Sequence, residues 1–356
     1  MKLSLFSTLR GYRKEYLPKD IFSGIIIAAV SIPISMGYAQ ISGIPAVHGL
    51  YGSVLPILLF ALFSTSRQFI FGVDAAPAAI VGGALSTLGI ATESEAAMDY
   101  VPAIALFAGL WLFIFFLLHA DKIVDFISTP VMGGFISGIA VTIILMQIPK
   151  LMGSPAGSGE LLELAEHIFA AAKNISWLSL FMGLGALVLI RTFKKLAPKF
   201  PMAIVIMALG VLSTVVFHVN EKGVVILKSV ERGLPSLVIP DFGNVDLTQA
   251  AGRGLMVAVV IMAETLLAVN TFAFRNDYKL NDRQEILACA AGNIAAAAVG
   301  CCPVNGSISR TSLNEQYGGK SQAVSITAGI TMALILLFGT GFIGYLPVPV
   351  SYTHLR

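Results

Sequence analysis

Charge is scarce in this sequence. Only 12% of its 356 residues are Asp, Glu, Lys or Arg, against roughly 25% in a soluble domain. So few charges cannot cover a water-facing surface for a chain of this length, which argues against an ordinary soluble enzyme. The 23 basic and 20 acidic residues leave a net charge of +3. No basic stripe gathers them, so the chain has no footprint for a nucleic-acid backbone. Cysteine is nearly absent: Cys289, Cys301 and Cys302. Two of them are adjacent, which is poor geometry for a mutual disulfide, and no C-x-x-C spacing occurs. The five histidines, His48, His119, His167, His218 and His354, lie at or near the ends of apolar segments without metal-ligand spacing. We therefore expect no cofactor, no metal centre and no catalytic constellation. Residues 1–20 are basic and contain no cleavable apolar core ahead of Pro18. This predicts a retained N-terminal segment, not a signal peptide.

Apolar residues fill the space that charge leaves. They make up 56% of the chain, with a mean hydropathy of +0.84. Runs of about 20 apolar residues recur along the whole length, the pattern of an all-α polytopic membrane protein. We read spans at Ile21–Tyr38 (interrupted by Pro33), Val47–Phe63, Ala75–Ile90, Val101–Leu118, Ile123–Ile148, Trp177–Ile190, Ala203–Phe217, Leu255–Phe274, Ile286–Gly300, a polar tenth span within 302–322, and Ala323–Tyr345. Gly153–His167 reads as a polar loop, and Asn220–Asp246 as a longer one. This gives a cytoplasmic segment 1–20, a first repeat 21–217, an external loop 218–248, a partial second repeat 249–350 and a polar tail 351–356.

Loop charge sets the orientation. With the N-terminus inside, the N-terminal segment and the inner loops 64–68, 119–122, 191–199, 275–285 and 315–322 together hold most of the lysines and arginines, Arg67, Arg191, Lys194, Lys195, Arg275 and Lys320 among them, while the outer loop 218–246 carries Lys222, Lys228 and Arg232 against Glu221 and Glu231. The outer loops 91–99 and 153–167 hold glutamates instead.

Two stretches break the apolar pattern in the same way. Gln68–Val73 is aromatic and β-branched and reads as a short strand. Asp74 follows it, and a small-residue helix then begins at Ala75 with Pro77 in its first turn. In the second stretch, Pro303 and Gly306 interrupt the backbone, Ser307 can cap a new helix, and Gly318-Gly319 can end it. Under the expected topology these two stretches run in opposite directions, seven spans apart. A seven-plus-seven inverted repeat, incomplete in its second half, would aim their helix N-termini at each other near the midplane. Two positive helix ends, with Arg310 one turn in, favour an anion. Asp74 has three readings: a helix cap, a partner for Arg310, or a group that takes up a proton or cation. Glu264, alone in an apolar helix between Ala263 and Thr265, is a functional candidate because charge at that depth is costly.

Several separated patches resemble one family. They are Asp20-Ile-Phe-Ser-Gly24, Ile32-Pro-Ile-Ser-Met-Gly-Tyr-Ala39, Gly43-Ile-Pro-Ala-Val-His-Gly-Leu-Tyr51, Phe63-Ser-Thr-Ser-Arg67, the run Phe126–Gly138, Gly233-Leu-Pro235, Asn281-Asp-Arg-Gln-Glu285, Gly306-Ser-Ile-Ser-Arg310 and Gly318-Gly-Lys-Ser-Gln322. In this order they resemble the sulfate permease (SulP) family, solute carrier family 26. The resemblance implies a uracil-permease-like fold of fourteen spans, usually followed by a STAS domain, in a bacterial inner membrane. It implies an anion site between spans three and ten, with Ser307, Ile308 and Ser309 at the helix start, Arg310 beside it and Tyr38 bordering it. Asp74 and Ala75 form the opposite helix start. The activity implied is elevator-type secondary transport of sulfate, bicarbonate or a dicarboxylate, with Glu264 linked to coupling by a proton or sodium and a homodimer as a common arrangement. Ile34 stands where many sulfate-transporting members have Gln, so the resemblance does not select sulfate. The chain stops after span eleven, so we expect it to be cut short before the last three spans and the STAS domain. A nucleobase symporter on the same fold is the alternative, along with a passive anion channel or an inactive fragment. Arg310 weighs against a neutral ring as substrate.

Overall fold

The computed structural model describes residues 5–122, 129–154, 161–197, 200, 202–227, 230, 232–238, 240–243 and 245–351. The first half comprises α1 (Leu17–Ile41), α2 (Ala46–Tyr51), α3 (Leu55–Phe63), β1 (Phe71–Val73), α4 (Ala75–Thr87), α5 (Glu95–Leu118), α6 (Thr129–Leu151), α7 (Leu161–Lys173), α8 (Trp177–Leu196) and α9 (Met202–Phe217). Then follow α10 (Leu247–Arg275), α11 (Asp282–Ala298), β2 (Val304–Gly306), α12 (Ile308–Tyr317), α13 (Ala323–Leu334) and α14 (Val348–Ser351). Among the described residues, five helical stretches are long and apolar enough to cross a bilayer: Lys14–Ile41, Ala46–Phe63, Glu95–Leu118, Leu247–Arg275 and Ala323–Tyr345. By contrast, α4 has 13 residues and α12 has 10. At about 1.5 Å per residue each covers roughly half to two thirds of a 30 Å hydrocarbon core.

Local chemistry sets the helix ends. The Ser94, Asp246 and Asn281 side chains accept backbone N–H bonds at the starts of α5, α10 and α11, each meeting a donor the helix cannot satisfy itself. Gly318 ends α12 at φ +83°, the left-handed conformation that glycine adopts without a Cβ clash.

Four expectations change. The helix α1 runs through Pro33 without interruption. The second span is two helices, α2 and α3, separated at residues 52–54, with Pro56 in the first turn of α3. The polar loop expected at Gly153–His167 gives way to helix from Leu161 onward. Leu161, Leu164, Ile168 and Ala171 recur at helical spacing, and the three glutamates of that stretch masked the period. This α7 meets α8 at 116°. Finally, Ser351, expected to open the tail, closes α14. Residues 123–128 of the fifth span and 352–356 of the tail lie outside the described residues.

The helices pack in two groups. In one, α5 lies against α10 and α11, α3 against α11 and α13, and α1 against α2, α12 and α13. In the other, α6 through α9 pack with α14. The groups meet where α4 touches α6 and where α1 touches α9. Leu117, Leu118, Phe181, Val188, Leu212 and Phe217 remain exposed on the outside, as expected of a face that meets lipid.

Loops 64–68, 275–285 and 315–322 gather at one end. There Glu285 accepts bonds from Ser64 Oγ, Thr65 N and Oγ1, and Ser66 N. Asp20 accepts from Lys320 N, Ser321 Oγ and Tyr12 Oη. Partial burial and the adjacent Asp20 push the Tyr12 hydroxyl up to about 12.

α1 and α4 touch backbone to backbone. A Cβ on Gly82 would stand 2.1 Å from the Ile41 carbonyl oxygen, whereas one on Gly133 would meet nothing within 4 Å. Gly82→Ala should therefore destabilise the fold by about 1–3 kcal/mol, read as a lower melting temperature in detergent. Gly133→Ala should leave the melting temperature unchanged or raised.

Candidate functional site

The site is built on a two-stranded antiparallel pair. Phe71 faces Gly306, Gly72 faces Asn305 and Val73 faces Val304. Each strand hands directly to a short helix: β1 through Asp74 to α4, and β2 through Ser307 to α12. Antiparallel pairing puts the two helix starts at opposite ends of the short ladder, Asp74 next to Val73 and Ser307 bonded to Ile70 O, so the N-termini face each other across it and their side chains meet, Ser307 Oγ to Asp74 Oδ1. An aromatic pad supports the strands. Phe71 stacks on Phe60 at 4.4 Å and Phe69 leans on Phe272 at 6.1 Å. Gly292 and Gly306 admit those rings, since a Cβ on either would stand within 2.4 Å of Phe71 or Phe69.

Side chains satisfy the irregular backbone. Asn293 accepts from Val304 N and donates to Val304 O, at 2.9 and 3.0 Å. Asn314 Nδ2 donates to Gln68 O, Gln322 Nε2 donates to Ser66 O and Phe69 O, and Ile70 N donates to Thr311 Oγ1. Such backbone is tolerated at membrane depth only when the protein satisfies it.

Arg310 crosses from α12 to the opposite strand. It is 1% exposed, and its Nη2 donates to Val73 O at 2.7 Å. Its Nη1 reaches Ser31 Oγ of α1 at 3.5 Å, and its Nε has no hydrogen-bond partner. A Cβ on Gly72 would stand 2.9 Å from Nη1, so glycine is what leaves room for the guanidinium. Asp74 Oδ1 lies 3.9 Å from Nη2 and accepts from Ser307 Oγ at 3.2 Å.

Ser307 holds the cap position of α12, yet its hydroxyl does not cap. It turns to Asp74 and, at 3.3 Å, to Ser309 Oγ. Asp74 likewise makes no side-chain cap on α4. Neither residue makes the side-chain cap that the sequence allowed, although the Asp74 carboxylate is within reach of the Ala75 N–H at the start of α4. Ala75 opens α4, and Ile308 and Ser309 are exposed at the start of α12. Tyr38 is buried, with its hydroxyl in electrostatic range of Asp74 and Arg310.

Glu264 joins the site through Asn305, whose Nδ2 donates to Glu264 Oε2 at 2.5 Å. Thr265 Oγ1 donates to Asn305 Oδ1 at 2.8 Å. The neighbouring pair Glu264–Thr265 thus grips both ends of one amide, and Glu264 lies in electrostatic range of Asp74. Reasoning from sequence marked Asn305 only as one polar residue of the tenth span, without its bonds to Glu264 and Thr265, and missed Thr265 and Ser31. The polar pair in an otherwise apolar helix was the available signal for Thr265; nothing marked Ser31. The three cysteines are buried and unbridged, and no group of three metal-ligating side chains occurs among the described residues.

Apolar helices with exposed outer faces and two short helices meeting at a strand pair define a polytopic membrane protein of transporter architecture. The chain belongs to the sulfate permease (SulP) family: the Sulfate permease family profile matches residues 17–350. It is a family of transporters, not enzymes. A probable sulfate transporter of Mycobacterium tuberculosis is 26% identical over 352 residues, covering 98% of this chain and 63% of the relative. Sulfate transporter 4.1, chloroplastic, of Arabidopsis thaliana is 30% identical over 355 residues, covering 96% of this chain and 51% of the relative. The chain thus spans between half and two thirds of the length of these relatives. Among solved structures, the transmembrane domain of a cyanobacterium bicarbonate transporter, BicA, superposes with a TM-score of 0.86 at 19% identity, covering 97% of this chain and 88% of that one. The murine Solute Carrier 26 family member A9 anion transporter, in the inward-facing state, gives 0.85 at 19% identity, covering 98% and 61%.

Asp74→Asn and Arg310→Gln should couple in a double-mutant cycle by about 0.5–3 kcal/mol, measured by denaturation in detergent. Arg310→Gln should cost more alone, because it also releases the Val73 carbonyl.

Proposed function

We propose that this chain carries the membrane core of a secondary active transporter for a small anion: sulfate, bicarbonate or a dicarboxylate. The anion binds between the N-termini of α4 and α12, against Ala75, Ser307, Ile308 and Ser309, with Arg310 as the fixed positive charge and Tyr38 at its border. One observation carries this reading: two uncapped helix starts meet beside a buried arginine whose Nε–H is unpaired. Backbone N–H groups and a guanidinium together suit an oxyanion. The names of the relatives, sulfate and bicarbonate transporters, support the same substrate class.

In this reading Asp74 and Glu264 are the coupling groups. Asp74 shares Arg310 with the anion, so it competes for that charge when ionised. Glu264 reports on the site through Asn305. A proton or sodium ion taken up by these carboxylates removes the negative charge that opposes anion binding, which ties the two fluxes together. The strand pair with α4 and α12 would travel as one body against α6–α9, in an elevator-type cycle, with α1–α9 and the α10–α14 segment as the two halves of an inverted repeat. The membrane is the bacterial inner membrane, with the N-terminus cytoplasmic, and a homodimer fits the same scheme. A nucleobase symporter is disfavoured by Arg310, since a neutral ring gains little from a buried cation.

Uptake into proteoliposomes with labelled sulfate, bicarbonate and a dicarboxylate, with and without a pH gradient, tests this reading. Arg310→Gln should weaken anion binding about 10- to 100-fold, as loss of a charge-assisted bond predicts. Glu264→Gln should leave binding but abolish the response to the pH gradient. Tight binding by the Arg310 variant would remove Arg310 from the site, and an unchanged gradient response would remove Glu264 from coupling.

A further inference from the structure

The helix α7 has no part in the candidate site, and its surface divides into three sectors when successive residues are turned by about 100°. On the first, Leu164 and Ala171 are buried and Ile168 is half-buried; α6 is the helix that α7 packs against. The next sector carries Leu162 and Phe169, 77% and 71% exposed, with Ala165 and Ala172 beside them. The third carries Glu163, Glu166, His167 and Lys173, all exposed. One outward stripe is therefore apolar and its neighbour charged. In water the first is unfavourable, and in hydrocarbon the second is.

The level of α7 in the bilayer follows from α8. That helix is 20 residues long, which at about 1.5 Å per residue matches the roughly 30 Å hydrocarbon core. Trp177, Phe181, Leu184 and Val188 form an exposed apolar stripe along it, at helical spacing. Trp177 heads that stripe, and an exposed tryptophan at the end of a spanning helix marks the level of the lipid headgroups. α7 ends at Lys173, just before Trp177, so it starts from the same level. The two helices meet at 116°, so α7 lies across the α8 axis and does not extend it. The corner is braced. Ser176 N donates to Met152 O at 2.9 Å, Ser176 Oγ accepts from Ser179 N, and a Cβ on Gly153 would stand 2.7 Å from that of Ser176. With its buried side held by the protein, α7 cannot turn Leu162 and Phe169 inward.

We infer that α7 is an interfacial helix: it lies in the headgroup layer, with Leu162 and Phe169 entering the acyl region and Glu166, His167 and Lys173 in water. Its partner is the phospholipid surface, recognised by apolar insertion. Helices of this kind bury their apolar face about 5–10 Å into the headgroup boundary. The polar sector sets Glu163 and Glu166 against Lys173, so attraction to anionic headgroups is not what holds it. Packed on α6, the inserted helix ties the α6–α9 group to the bilayer surface. The inference is independent of which anion is carried.

Spin labels read this in the full chain reconstituted in phosphatidylcholine vesicles. Leu162→Cys, Phe169→Cys, Glu166→Cys and Ala170→Cys are labelled one at a time. All four positions are exposed, so none disturbs the core, and the native cysteines are buried. Relaxation by oxygen, which collects in the acyl region, is compared with relaxation by a water-soluble nickel chelate. The oxygen-to-nickel ratio should be several-fold higher at 162 and 169 than at 166 and 170, and should stay so when phosphatidylglycerol is added. Nickel access at 162 and 169 equal to that at 166 overturns the inference, because α7 then stands in water. Low access to both reagents at 162 and 169 also overturns it, because protein, such as a second copy of the chain, then covers the stripe. A contrast that appears only with phosphatidylglycerol overturns recognition by insertion, since charge then holds the helix.

Discussion

Backbone that is neither helix nor closed barrel must find its hydrogen bonds inside the protein when water is absent. The centre of this chain is organised by that requirement. Two three-residue strands satisfy each other along one edge. Beyond the pair, the partners are side chains: Asn293 on both polar groups of Val304, Asn314 on Gln68, Gln322 on Ser66 and Phe69, and Thr311 on Ile70. Leaving one such group unpaired would cost about 1–3 kcal/mol. These amides fix where the strands end and so where α4 and α12 begin.

The same arrangement explains how charge is tolerated at the centre. Arg310 brings a cation into the interior, and its strongest partner is the Val73 carbonyl, not a carboxylate. Asp74, at 3.9 Å, balances the charge from a longer distance and divides its attention with Ser307. A tighter Asp74–Arg310 pair would neutralise the guanidinium and leave little for a ligand. A missing Asp74 would leave a buried cation exposed to the full cost of desolvation. The loose pair lies between these limits, the compromise that the proposed anion site would need. Glu264 is held one residue further away, with Asn305 as the intermediary.

Much of this was legible in the sequence, for identifiable reasons. A β-branched run, a polar residue and a short small-residue helix are local signals, so α4 and α12 were found with their strands. Gly318 as the end of α12 follows from backbone sterics alone. Span boundaries were less accessible. The break between α2 and α3 depends on how Pro56 and Gly52 pack, and α7 hid its helical period behind glutamates. The cap readings of Asp74 and Ser307 failed for a different reason. Each side chain had a local partner that sequence could suggest and a distant one that it could not, and the distant one won. The roles of Asn293, Asn314 and Gln322 are likewise hidden in the sequence, because the backbone groups they satisfy in the strand segments lie between 11 and 256 residues away.

The packing around α4 gives the proposed cycle its asymmetry. On one side α4 is fastened to α1, with Gly82 seated against the Ile41 carbonyl, a contact that permits little sliding because both surfaces are backbone. It also touches α6, and a cavity bordered by both helices lies alongside that contact. In the proposed cycle, a body that includes α1, α4, the strand pair and α12 would shift against α6–α9 and would have to exchange the contacts of α4 with α6 and of α1 with α9. The amides and aromatic rings that hold the strands belong to that body and would move with it. The helix starts, Arg310 and Asp74 would then keep their mutual geometry while their access changes.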